Sequence, residues 1–239
     1  MKANKRILAI SDIHGEVNKL IMLLDKVKHN PLKDQLIILG DYCDRGQKSK
    51  EVIETCIQLK EHGAVTLKGN HCELFLGWLL TDSFNYKQVF LNNGGLQTIE
   101  SYLGREWIEQ GLTHENYQVA KEYIIKHYKH HIDFLKNNQL YYELNDHVFV
   151  HAGIDPSFDS WKDTHSSDYL WIRDDFLNYE HSNKETIVFG HTPTRLINED
   201  ASNNIWFGNK KIGIDGGACF KGQLNCLEIK DGKYKQYSV

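Results

Sequence analysis

The chain has 239 residues, 41% of them apolar and 25% charged, with a formal net charge of −4. That length suits one sizeable core, and an acidic balance with no long basic block argues against a binder of duplex nucleic acid. No apolar run approaches the ~20 residues that span a bilayer, and five irregularly spaced cysteines suit a reducing cytoplasm better than a disulfide framework.

The opening MKANKRILAIS is basic, then briefly apolar, and lacks a leader-like apolar core with a small-residue cleavage site. Arg6–Ser11 therefore predicts a strand. Glu16–Val27 predicts a helix, with Val17, Leu20, Ile21, Leu24 and Val27 on one face. Asp34–Gly40 predicts a second strand. Ser49–His62 predicts a helix that Gly63 stops, and Ala64–Lys68 a third strand. This β-α-β-α-β order implies parallel strands with crossover helices. Residues 73–140 are expected to be mainly helical and cap-like. Strands return at His147–Val150, Thr186–Phe189, Lys211–Ile214, Leu224–Ile229 and Lys233–Tyr237. No repeat or long linker divides the chain, so residues 1–239 are expected to form a single domain.

Five of the apolar strands run into polar clusters. AIS leads to Asp12-Ile13-His14-Gly15, ILG to Asp41, Asp44 and Arg45, and TLKG to Asn70-His71. VFV leads to His151 and IVFG to His191. Ligands of open α/β sheets bind at the carboxyl ends of strands, so these are five deliveries to one rim. Asp12 and His14, two residues apart, would point the same way from an extended chain. Asp12, His14, Asp41, Asn70, His151 and His191 offer oxygen and nitrogen donors without a thiolate. That set suits borderline divalent ions: manganese first, with iron, zinc or cobalt compatible. Six donors exceed one tetrahedral ion and suit two ions sharing a carboxylate.

SDIHG, GDYCDRG, GNHC, HAG and GHTP, in this order across residues 11–193, resemble the motif series of the calcineurin-like metallophosphoesterases. Within them the forms are most similar to the phosphoprotein-phosphatase branch, bacterial or phage type. The resemblance implies a four-layer αββα sandwich. It implies that Asp12 and His14 bind the first metal, that Asp41 bridges, and that Asn70, His151 and His191 complete the second site. It also implies His71 as general acid oriented by Asp44, Arg45 as the phosphate grip, and direct attack by a metal-bridging hydroxide. Arg173, in YLWIRDDF, is similar to arginines that some relatives use as a second phosphate contact; a surface pair with Asp174 is its competing role. Ser11 stands where many members have glycine, and Cys72 separates GNH from the acid Glu73.

The expected substrate is phosphoserine or phosphothreonine in proteins, or another small phosphoester. The alternative is symmetrical hydrolysis of diadenosine tetraphosphate, which a base-stacking pocket built from segment 78–142 would favour. A catalytically idle metal-bound scaffold is opposed by retention of His71, Asp44 and Arg45 beside all six donors. His127, His130 and His131 are read as a solvated helix face, and Cys43 and Cys72 as small buried hydrophobes. IDGGACFKGQ, near residue 215, is expected to be a glycine-rich loop at the site mouth.

Overall fold

The computed structural model describes residues 5–239; the basic opening Met1–Asn4 lies outside the described residues. Among the described residues, ten strands build two sheets. They are β1 (Arg6–Ile10), β2 (Asp34–Ile38), β3 (Val65–Thr66), β4 (Tyr141–Leu144), β5 (His147–Val150), β6 (Thr186–Phe189), β7 (Trp206–Gly208), β8 (Lys211–Gly213), β9 (Asn225–Lys230) and β10 (Lys233–Ser238). One sheet has the order β10-β9-β1-β2-β3 and the other β4-β5-β6-β8-β7. The pairs β1–β2, β2–β3, β5–β6 and β6–β8 are parallel, as the alternating sequence pattern requires for the first two. The pairs β1–β9, β9–β10, β4–β5 and β7–β8 are antiparallel.

Three apolar layers separate four structural layers. Leu8 and Ile10 of β1 pack with Leu20, Leu23, Val52 and Ile53 of the helices. Their neighbours Ile7 and Ala9 face the second sheet with Phe149, Val188 and Ile212. Val148, Val150, Ile187 and Phe189 then pack outward against Trp161, Tyr169 and Phe176. Successive strand residues point to opposite faces, and both faces of the central strands are covered. Their sequences therefore read as nearly continuous apolar runs. The αββα sandwich expected from the resemblance is the fold observed.

Helix α1 (Val17–Lys26) buries Val17, Leu20 and Leu23, followed by Val27. Ile21, placed on that face by the sequence, is 56% exposed; the stripe runs one position further round, through Leu23. Helix α2 (Ser49–Glu61) ends before Gly63, whose φ of 95° is the left-handed stop expected there. The helical segment runs through α3 (Asn70–Leu80), α4 (Phe84–Phe90), α5 (Leu96–Leu103), α6 (Arg105–Glu109), α7 (His114–His127) and α8 (Lys129–Lys136). Between α4 and α5 the chain passes a single π-turn, Leu91–Gly95, with Gly94 at φ 93°. A Cβ on Gly94 would strike the backbone of Arg45, whose N–H donates to the Gly94 carbonyl at 3.0 Å.

Two edge strands escape sequence reading. β4 alternates only between exposed and half-buried positions, and β7 has three residues with Phe207 exposed, so neither carries a buried-face signal. The expected solvated histidine face also needs correction. The chain breaks at Tyr128 between α7 and α8, which leaves His127 and His130 exposed but turns His131 into the interior at 1% exposure.

Candidate active site

The carboxyl ends of β1, β2, β3, β5 and β6 converge, and each delivers the polar residues anticipated there. Asp12, His14, Asp41, Asp44, Asn70, His71, His151 and His191 are all buried. They do not arrive as extended chain. Asp12, His14, Asp41, Asp44, Arg45 and His191 have φ of 52°, 44°, 49°, 70°, 69° and 63°, the left-handed region that non-glycine residues rarely occupy. Asp12 and His14 thus meet through a left-handed turn, not through strand alternation. Holding residues in that region costs on the order of 1–3 kcal/mol each, and such strain gathers where geometry serves a site.

Packing fixes each carboxylate. Asp12 Oδ2 accepts the His191 N–H at 2.9 Å and touches the Ser11 hydroxyl. Asp41 Oδ1 accepts the His71 N–H at 3.0 Å, while its Oδ2 lies 3.4 Å from His14 Nε2 and 3.5 Å from His151 Nε2. A Cβ on Gly190 would overlap Ser11 Oγ and Asp12 Oδ2, and one on Gly69 would overlap Asp41 Oδ1. The glycines beside the motif acids are therefore the clearance those acids need.

The imidazoles are set by backbone carbonyls. His14 Nδ1 faces Cys43 O at 2.7 Å, and His151 Nδ1 faces Leu39 O at 2.8 Å. A carbonyl only accepts, so each Nδ1 carries a hydrogen, and Nε2, turned inward, is the atom of each ring that can offer a lone pair. Burial, reinforced by His71 and Arg45, holds His14 well below the ordinary histidine range. Burial, with His151 beside it, does the same for His191. His151 Nε2 lies 2.9 Å from Asn70 Oδ1, which is also 3.0 Å from His191 Nδ1. Among the described residues, the buried Nε2 of His191 has no hydrogen-bond partner. Electron pairs from imidazole, carboxylate and amide oxygen thus converge on one volume, as a bound cation requires, and Asp41 belongs to both donor groups. The residues present fit divalent metal.

Behind them, Asp44 Oδ2 takes the His71 Nδ1 hydrogen at 2.6 Å, and Asp44 Oδ1 takes the Thr98 hydroxyl at 2.6 Å. Burial disfavours the His71 imidazolium, yet Asp41 and Asp44 outweigh it and raise the pKa above the usual value. Arg45, half-buried, donates to His14 Nε2 at 2.7 Å and lies over the Phe220 ring at 4.9 Å. Arg173 donates to Thr192 Oγ1 at 3.1 Å, and its guanidinium feels Asp12, Asp215, Arg45 and Asp41. It therefore stands at the rim with the other site residues.

Two residues of the site, Asp215 and Thr98, lie outside the set that the motifs name. Asp215 is buried, accepts the Gly217 N–H at 2.8 Å, and is pushed well above the usual carboxylate range by burial and by Asp12. Its signal was legible: KIGI runs into Asp-Gly-Gly as a sixth apolar strand ending in an acid. The IDGGACFKGQ loop does lie at the site, through Asp215 and Phe220. Thr98, in the middle of a helix, carried no such signal. Cys43 and Cys72 are buried free thiols; burial pushes Cys43 far up and Cys72 to about 12, which makes them unreactive.

A family model described as calcineurin-like phosphoesterase matches residues 5–216. Serine/threonine-protein phosphatase 2 of Salmonella typhimurium is 29% identical over 235 residues, covering 95% of this chain and 94% of its own length. The asymmetrical bis(5'-nucleosyl)-tetraphosphatase PrpE of Anoxybacillus flavithermus is 26% identical over 247 residues, covering 93% and 89%. A protein serine/threonine phosphatase structure from Saccharomyces cerevisiae shares the fold with a TM-score of 0.62 at 15% identity, covering 100% of this chain and 80% of that one.

Proposed function

The chain belongs to the calcineurin-like phosphoesterase family, a metal-dependent hydrolase class, and from that premise we propose that it is a protein phosphatase acting on phosphoserine and phosphothreonine. Asp12, His14 and Asp41 would hold one divalent ion, and Asp41, Asn70, His151 and His191 a second, with manganese the expected metal. Two such ions, when bound, would offset phosphate charge and lower the pKa of water toward about 7.

The chain's own residues supply the rest. Arg45 and Arg173 present planar forks to the phosphate oxygens and hold the ester in the orientation the reaction needs. His71, with Nδ1 tied to Asp44, keeps Nε2 free to give a proton to the departing oxygen. Thr98 fixes Asp44, so the acid is aimed by a chain of two short hydrogen bonds. The strand and helix layers bury this machinery and exclude bulk water from its back. We take the chain as one domain whose helical segment caps the rim. A cytoplasmic setting accords with its five free cysteines.

The observation that carries the choice of substrate is where the aromatic residues of segment 78–142 go. Trp78, Phe90, Tyr102, Trp107 and Tyr117 are buried, and Trp78 and Phe90 stack on each other and on Phe75. They pack the helices together, and the cleft that Trp78 and Tyr117 line with Phe84 includes none of the metal-donor or arginine residues of the rim. One feature favours a dinucleoside polyphosphate instead: Trp171, 40% exposed, lies two residues from Arg173 with its ring 6.3 Å from His191. The PrpE relatives support that second reading. Purified protein with manganese should be given a phosphopeptide panel and diadenosine tetraphosphate side by side. The first reading expects the higher kcat/KM on phosphopeptides; a clear preference for the dinucleotide would replace it with the second.

A further inference from the structure

One turn along α5 from Thr98, the residue that holds Asp44, α2 and α8 bring three other donors together. Glu54, near the middle of α2, faces the dipeptide His130-His131 at the start of α8. Both rings aim the same atom at the same carboxylate oxygen: His131 Nε2 is 2.9 Å from Glu54 Oε2, and His130 Nε2 is 3.3 Å from it. The two rings meet edge to face with centroids 4.4 Å apart. All three donor atoms lie within 4.8 Å of one another. A tetrahedral zinc ion with bonds of about 2.0–2.1 Å separates its ligand atoms by about 3.3 Å, so small side-chain adjustments suffice to admit one.

The surroundings match a built site more closely than a surface ion pair. His131 is 1% exposed and its other nitrogen, Nδ1, lies 2.8 Å from the buried Tyr102 hydroxyl. A hydroxyl on the second nitrogen fixes ring orientation and accepts the Nδ1 hydrogen when Nε2 binds a metal. Glu54 and His130 are half-exposed at 46% and 55% of their side chains, which opens the fourth position to water and gives an ion a route in. Two imidazoles, one carboxylate and a water form a donor set for a borderline divalent ion.

We propose that Glu54, His130 and His131 form a third divalent-metal site, selective for zinc-like ions and separate from the two-ion centre. Its ion joins α2 to α8. Through Tyr102 it also braces α5, the helix that one turn earlier carries Thr98. The site is structural: no donor in it faces the phosphoester rim.

The test uses the full chain, stripped of metal and dialysed against buffered zinc chloride, with bound zinc measured by elemental analysis. The wild type should hold one equivalent more than His130→Ala and one more than Glu54→Gln. Tyr102→Phe should weaken that extra equivalent about tenfold or more, the loss expected when an outer hydrogen-bond partner of a metal ligand is removed. Zinc-edge anomalous diffraction should place the additional peak between Glu54 and His131. His130 and Glu54 are exposed enough for both variants to fold, and their manganese-supported hydrolysis should match the wild type. Equal zinc content in wild type, His130→Ala and Glu54→Gln, or no anomalous peak at Glu54 under zinc excess, overturns the proposal.

Discussion

Thr98 donates a 2.6 Å hydrogen bond to Asp44 Oδ1, while the other oxygen of that carboxylate holds His71 Nδ1. The Thr98 hydroxyl also lies 2.8 Å from the Asp44 N–H, which donates to it, so one side chain fixes both ends of the residue that aims the acid. Thr98→Val keeps the shape and removes both contacts. Leaving a buried carboxylate short of a donor costs about 1–3 kcal/mol.

The expected signature is leaving-group selectivity. A serine alkoxide needs its proton in the transition state, whereas a nitrophenolate needs little help. His71→Asn should slow phosphoserine hydrolysis by the ~10²–10⁴-fold typical of acid catalysis and nitrophenyl phosphate far less. Thr98→Val should show the same ratio in milder form with metal content unchanged. Equal losses on both substrates, with metals in place, would move His71 from acid to a positioning role.

Gly190 tests the clearance around Asp12. The alanine methyl of Gly190→Ala must displace Ser11 Oγ or Asp12 Oδ2, and Asp12 cannot move without losing the His191 N–H. Metal content and rate should fall together while the far-ultraviolet circular dichroism stays native. A Gly190→Ala enzyme with full activity and two bound metals would show that the strand end yields at no functional cost.

The two arginines separate by experiment. Arg45 rests on Phe220 and donates to His14, whereas Arg173 is held by Thr192 and, among the described residues, has no ion pair with Asp174. If both clamp phosphate, Arg45→Ala and Arg173→Ala should each lose about 10²-fold or more in kcat/KM, the scale for removing one transition-state donor. Metal content should stay at the wild-type level. An Arg173→Ala variant of unchanged kcat/KM would leave Arg45 as the sole grip.

A pH effect on stability is expected away from the site. Asp34 is buried, which pushes its pKa up, but Arg6 outweighs this with hydrogen bonds of 2.9 and 2.7 Å, helped by the Asn30 N–H, and the net shift is downward. A depressed folded pKa means that the unfolded chain binds the proton more readily. The stabilisation is therefore complete above the unfolded value of about 3.9 and fades as pH falls through the lower folded value. Asp34→Asn should lose about 1.5–3 kcal/mol at pH 7, the range for hydrogen bonds to a charged group. The gap in urea stability between wild type and variant should narrow below about pH 4. A gap that stays constant down to pH 3 would assign the loss to packing instead of charge.

The strand-end logic of this protein is written locally in its amino-acid sequence. An apolar run of four or five residues closed by Asp, Asn or His and a glycine is a local pattern, and local patterns survive in one dimension. That is why β1, β2, β5 and β6 fall where expected, why Asp12, Asp41, Asn70, His151 and His191 meet, and why Asp215 could have been found by the same rule. What depends on distant chain is set by the folded packing. Asp12 is locked by the His191 N–H, 179 positions away, and Asp44 by Thr98, 54 positions away; no local pattern announces either pairing, and Thr98 bears no local mark at all. The left-handed turns that aim the acids are imposed by packing against propensity. His131 looked solvated because its helical repeat was polar; the break at Tyr128 resets the phase of that repeat and turns one imidazole into the interior.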